Sequence, residues 1–425
     1  MLSHQTPIEV SSIWIKRVRS SSLNLANILM KKEDVNIEAK SLFTQSTIIV
    51  LLFIAVGLSG CSRLSVPQGW AGFVQHENII VSVSMDGQII ALNKDSGRHK
   101  WDPVLLRVEE KNENRRAVYG TPVLDNGIII VGSYDGKLHA VSIDDGRLVE
   151  TEPVTEEFVA GPVYHNGVVY IGGSDGNMYA YRVENMSGGT VSFELEWKRE
   201  LGSKIWSTAV VYQDILIFGS LDHNVYGLDV NNGDTIWTYE TGGAIASSPL
   251  VEGGTAYIGS FDSTFYAIYA ESGKEKWRFT ESSNWYWATP IIFEGYVYAA
   301  SLDGKVYSLD AVTGDKKWES VSDGPIVGTP VIVRDMIIFG STDGKIYVSD
   351  LYSGNVLNTC DIGETVETPL LSIGDDIYFG ARDFSTRSLN IKSNGNPDEN
   401  WDAPYFSDKA KEGKNPQPSD WAPDC

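Results

Sequence analysis

The chain has 425 residues, 42% hydrophobic and 11% aromatic, enough for a large core. Its 34 Lys+Arg stand against 56 Asp+Glu, a formal net charge of −22. With no basic excess to displace counterions, the expected partners do not include nucleic acid, and the acidity favours solubility. Length alone suggests two or three domains, unless an internal repeat sets the architecture instead.

The first feature in chain order is residues 47–58, TIIVLLFIAVGL, an uncharged apolar run. A bilayer span needs about 20 apolar residues, so this run fits the core of a secretory signal better. Leu58-Ser59-Gly60-Cys61 follows directly and resembles a bacterial lipobox. That resemblance implies cleavage before Cys61 and acylation of its thiol; an ordinary signal or an uncleaved anchor is the alternative. The run lies far from Met1, and a signal of ordinary length would begin at Met30, followed by Lys31 and Lys32. Residues 1–60 are therefore set aside as an extension and lipoprotein signal peptide, and 61–67 as a lipidated N-terminus and short linker. The expected location is extracytoplasmic, lipid-anchored to the cell membrane or outer membrane of a bacterium. Export implies an oxidising compartment. A Cys360–Cys425 disulfide would suit it, but the sequence does not decide whether they pair.

From residue 68 one pattern recurs. SLDGKVYSLDAVTGDKKW at 301 has siblings at 84, 133, 173, 220, 260 and 341, and a degraded copy, ARDFSTRSLNI, at 381. The turn aspartates are Asp86, Asp135, Asp175, Asp222, Asp262, Asp303, Asp343 and Asp383, spaced 49, 40, 47, 40, 41, 40 and 40 residues apart. Within the copy around 301, TPIIFEG, YVYAAS, KVYSLDA and KKWESV are β-branched and aromatic runs, broken at Glu294-Gly295, Asp303-Gly304 and Thr313-Gly314. Asp-Gly favours a tight hairpin, because Gly accepts positive φ and Asp bonds nearby backbone. Four short antiparallel strands per forty residues, eight times over, predict an all-β, eight-bladed propeller over 68–402. Trp101, Trp197, Trp237, Trp277 and Trp318 recur on the fourth strand and are expected to pack between neighbouring blades. The 47-residue spacing is accounted for by an extended hairpin at 186–197. DNG at 125–127 and DDG at 144–146 lack the bidentate Glu of a calcium loop and are expected to be turns. PDENWDAP, with Trp401, is a candidate outer strand for the last blade; the N-terminal octapeptide after Cys61 is the other candidate for closing the ring. Residues 403–425 are Pro-rich and polar, the composition of a tail.

The repeat resembles the PQQ-type propeller repeat across roughly 68–402. Eight blades behind a lipobox resemble the beta-barrel assembly lipoproteins of the BamB family. That resemblance implies a non-catalytic, lipid-anchored, monomeric scaffold that binds proteins or peptides through propeller loops at the cell envelope, with no cofactor and no metal. The same repeat builds quinoprotein dehydrogenases, so the alternative is a dehydrogenase using pyrroloquinoline quinone and calcium. Such enzymes are longer, many stack the quinone on a Cys-Cys pair absent here, and their Glu/Asn/Asp calcium set cannot be placed in this chain. No catalytic residue is carried over.

Strand order places the Asp turns and the connectors between blades on one rim, and the other two turns of each blade on the opposite rim. Counting three residues back from each TP element or its equivalent predicts the axial positions: Trp70, Tyr119, Val159, Trp206, Ala246, Trp287, Val327 and Val366. The connector at 102–120 adds Arg115 and Arg116. Trp285 and Tyr286 flank Trp287, and Glu156, Glu157 and Lys204 are charged neighbours. Aromatics and arginine anchor protein interfaces, so Trp70, Arg115, Arg116, Tyr119, Trp206, Trp285, Tyr286 and Trp287 form the candidate partner-binding set. The alternative is that these aromatics plug the channel.

Overall fold

A computed structural model describes residues 71–84, 87–106, 117–154, 157–186, 190–383 and 385–403. The chain divides into units 1–65 and 66–425, and the described residues belong to the second. They form eight four-stranded antiparallel sheets with every strand beside its sequence neighbour. The blades occupy 74–105, 123–153, 163–200, 210–240, 250–279, 291–321, 331–361 and 371–403. The predicted eight-bladed propeller is therefore the observed fold, and the repeat overrides the two-or-three-domain expectation from length.

Blade 6 illustrates how sequence makes the unit. Ile291–Phe293, Tyr296–Ala300, Lys305–Asp310 and Lys316–Val321 are its four strands, and the three breaks between them fall at the predicted turns. The two middle strands are almost wholly buried, whereas the outer strand is mostly exposed or half-buried. The core therefore lies between blades. One apolar cluster joins Tyr257 and Phe265 of blade 5 to Val297 and Tyr307 of blade 6. The long hairpin of blade 3, Asn177–Met186 with Thr190–Glu200, produces the 47-residue spacing as expected.

The tryptophans pack between blades as predicted. Trp277 lies on Gly314 of the next blade, where an added Cβ would come within 2.7 Å of the indole, and its Nε1 donates to Ala311 O at 3.2 Å. Trp101, Trp197, Trp237 and Trp318 repeat the arrangement on Gly146, Gly233, Gly273 and Gly354. A bulge between the third and fourth strands sets this orientation, as between Ser308 and Leu309. Trp101 departs from the expectation in one respect: it precedes its strand, which is the short pair Val104–Leu105. The segment 102–120 is thus not a single connector, because it begins with the outer strand of blade 1.

Blade 8 supplies its own outer strand, Pro397–Ala403. Trp401 closes the ring onto blade 1: its indole lies on Gly97 and donates to Lys94 O at 2.8 Å. Of the two closure candidates, this is the one built among the described residues. Cys360 is buried and disulfide-bonded. Its partner lies outside the described residues, as do Cys61, Trp70, Asp86, Arg115, Arg116, Glu156 and the tail from 404.

Candidate functional site: the axial funnel

The Asp turns build the rim from below. In Asp303 one carboxylate oxygen accepts the Lys305 amide at 3.1 Å. The other accepts the Tyr307 hydroxyl at 2.6 Å and the Ser283 amide, from the preceding connector, at 3.1 Å. Tyr179, Tyr226, Tyr266 and Tyr347 clamp Asp175, Asp222, Asp262 and Asp343 in the same way, at 2.5 to 2.8 Å. In blade 2 the tyrosine is replaced by His139, 3.8 Å from Asp135, and in blade 8 by the buried Arg387, paired with Asp383. In each of these seven blades the aspartate is held inside its turn by these contacts.

Each connector is then tied to both blades that it joins. The Tyr286 amide donates to Ser260 O of blade 5 at 3.3 Å, and Trp285 O accepts from the Leu302 amide of blade 6 at 2.9 Å. One residue further on, the chain reaches the axis. Around that axis a belt of hydroxyls links neighbouring blades: Thr208 accepts from the Gly161 amide at 2.8 Å and Ser248 from the Thr208 amide at 2.9 Å.

Six of the eight predicted axial residues line one cavity of about 270 Å³: Tyr119, Val159, Trp206, Ala246, Trp287 and Val327. Trp70 lies outside the described residues. Val366 does not line the cavity; it is fully buried between blades, and Glu367 takes the axial place. The cause is a one-residue slip of the proline that served as the counting mark. The amides of Ile326 and Val366 make equivalent bonds, to Ser301 O and Ser341 O. Val327 is therefore matched by Glu367, and Pro369 by Thr329. The dependable mark is the inner strand, which starts four residues after each axial position. Tyr286 is likewise corrected: it is 1% exposed, in the slot where Ile245 and Ile326 sit, and contributes core rather than contact surface.

With Glu367 in place, the seven described axial positions alternate from blade 2 to blade 8. Large residues come from even blades (Tyr119, Trp206, Trp287, Glu367) and small ones from blades 3, 5 and 7 (Val159, Ala246, Val327). Trp206 and Trp287 meet across the small Ala246 of blade 5, ring centroids 6.3 Å apart. Phe261 stacks between Trp287 at 5.5 Å and Trp285 at 4.6 Å, so the aromatic surface continues onto the rim. Lys204 Nζ lies 6.0 Å above the Trp206 ring. Among the described residues, Glu367 has a loose pair with Arg382, at 3.8 Å. Burial pushes its carboxyl above the usual range, and Arg382 pulls it back part of the way. Sequence reasoning missed Phe261 and Glu367. The first sits in an Asp turn rather than a connector, and the second is hidden by the proline slip.

The opposite rim carries exposed apolar side chains on blades 6 and 7, Phe293, Val312 and Tyr352. Quinone–calcium chemistry needs several oxygen donors in one place. The funnel lining supplies a single carboxylate, and no group of three or more His, Cys, Asp or Glu that could hold a metal occurs among the described residues. The donor set for that cofactor pair is not assembled there.

Fold, repeat and funnel define an eight-bladed propeller of PQQ-type repeats with an aromatic axial mouth. The family model described as outer membrane protein assembly factor BamB matches residues 68–239 and again 222–381, and the chain belongs to that family. A curated relative, the outer membrane protein assembly factor BamB of Moranella endobia (strain PCIT), is 26% identical over 170 residues. That match spans 39% of this chain and 42% of the relative. The solved structure of BamB from Moraxella catarrhalis is 23% identical, covers 65% of this chain and 83% of its own, and has a TM-score of 0.54. The computationally designed Ika8 protein aligns at 17% identity over 76% of this chain and 97% of its own, with a TM-score of 0.64. Saccharomyces cerevisiae Sqt1 aligns at 12% identity over 78% and 95%, with a TM-score of 0.62. At these identities the structural likenesses show the fold alone.

Proposed function

We infer that the protein is a non-catalytic scaffold, anchored through an acylated Cys61, which captures a protein or peptide partner on its Asp-turn rim during membrane-protein assembly at the cell envelope. The observation that carries this reading is the continuous aromatic surface Trp285–Phe261–Trp287–Trp206, half-buried at the mouth of an open axial cavity. Rigid aromatics beside a pocket are the usual anchors of protein interfaces, and loops on a rigid frame carry them. Family membership supports the assembly role.

Pull-down from membranes with the lipidated protein tests it. Alanine at Trp206, Trp287 or Arg116 should weaken partner capture while folding yield is kept. If all three variants unfold instead, the rings are a structural plug and the reading fails. Replacing Cys61 with Ser should release the protein from the membrane fraction. Saturable binding of added quinone and calcium, with dye-linked oxidation of alcohols or sugars, would favour a dehydrogenase over a scaffold.

A further inference from the structure

The funnel holds a combination that a general apolar mouth would not need. Among the described axial residues, the four large ones are three aromatics and one carboxylate. Aromatic faces attract cations through their quadrupole, and a part-buried carboxylate with one loose partner has capacity for another donor. The chain's own cations already lie at these acceptors. Lys204 sits over Trp206 at 6.0 Å and Arg382 stands 3.8 Å from Glu367, and both side chains remain exposed. The cavity, at about 270 Å³, is smaller than the roughly 300–1,000 Å³ usual for small-molecule and cofactor sites; it suits one long side chain. A net charge of −22 draws basic partners toward the protein.

We propose that the axial funnel is a receptor for a single arginine side chain presented by the partner, with Trp206 and Trp287 stacking on its guanidinium and Glu367 accepting its N–H groups. The proposal rests on the scaffold reading and names the chemistry by which that site selects. Arginine is preferred over lysine because its planar fork both stacks on indole and pairs with a carboxylate. Lys204 and Arg382 are the groups it displaces.

The test is an NMR titration of the full chain, following the indole N–H signals of Trp206 and Trp287. The probes are N-acetyl-arginine amide and its neutral isostere, N-acetyl-citrulline amide. The arginine probe should shift both indoles saturably and bind about tenfold or more tighter than citrulline. Glu367→Gln should abolish that preference, whereas Arg382→Gln should strengthen arginine binding, because a competing cation is gone. A purely structural Glu367–Arg382 pair would give no gain on removing Arg382. Equal binding of the two probes, or an unchanged preference in Glu367→Gln, overturns the proposal. If wild type shows no arginine preference but its pull-down still depends on Trp206 and Trp287, the cation site falls and the scaffold reading stands. Arginine binding with a pull-down indifferent to those tryptophans gives the reverse.

Discussion

At the residue scale, the same Asp-turn motif carries both strain and rigidity. At the described positions that follow the turn aspartates of blades 1–7 φ is positive, and Gly supplies it at Gly87, Gly136, Gly176, Gly304 and Gly344. His223 and Ser263 hold it at φ 76° and 67°. A left-handed non-Gly residue costs about 1–2 kcal/mol, and glycine's extra chain entropy returns about 0.5–1. Ser263→Gly should therefore raise unfolding free energy by about 0.5–1 kcal/mol in a urea titration; a loss would mean that the Ser263 side chain has a structural role. The Tyr307 hydroxyl is pushed far above its usual range by burial and then by Asp303, so it stays a donor. Tyr307→Phe should cost about 1.5–3 kcal/mol, the scale of a hydrogen bond to a charged group. Glu367 behaves oppositely. Its carboxyl is raised in the fold, so its contribution is most favourable below about pH 4.3, the unfolded value, and is lost as pH climbs through the raised one. Glu367→Gln should accordingly raise Tm at pH 7 and change it little at pH 4. A lower Tm at pH 7 would show that the carboxylate is kept for stability, and no longer a cost borne for binding.

Elements cohere through the junctions between blades. Six junctions among the described residues place a tryptophan on the next blade's turn glycine. Gly273 illustrates the constraint: φ is +66°, and an added Cβ would lie 2.6 Å from the Trp237 ring. Trp237→Ala should cost about 3–5 kcal/mol, and Gly273→Ala should destabilise through both the clash and the φ, read as a lower urea midpoint. Most of this level was legible in the sequence. Asp-Gly and Thr-Gly breaks, β-branched runs and a forty-residue period set strands, turns and ring, because hairpin chemistry is local. What escaped was displaced by local length changes. The strand of Trp401 was legible in PDENWDAP, but its packing role was not: Trp401 lies six residues after Gly395, where Trp318 lies four after Gly314, so it falls outside the Gly-to-Trp spacing. Val366 was taken for the axial residue in place of Glu367 because proline moved one place in that connector. The outer strand of blade 1, Val104–Leu105, is two residues long and had no pattern to reveal it.

At the scale of the whole molecule, blade 8 meets blade 1 through packing and hydrogen bonds among the described residues. Trp401 and Tyr378 of blade 8 both donate to Lys94 O of blade 1, at 2.8 and 3.3 Å, over a shared cluster with Phe73 and Ile80. The two rims offer different chemistry, aromatic and axial on one, scattered apolar tips on the other. On the proposed reading, the partner engages the axial rim. That engagement is tested most directly by placing a photo-crosslinking residue at Trp285 or at Tyr352 in the lipidated protein and analysing the adducts formed in the envelope. A discrete partner adduct is expected from position 285, fading when Trp206 and Trp287 are replaced, and none from position 352. An adduct from 352 with none from 285 would place the interface on the opposite rim and contradict that reading.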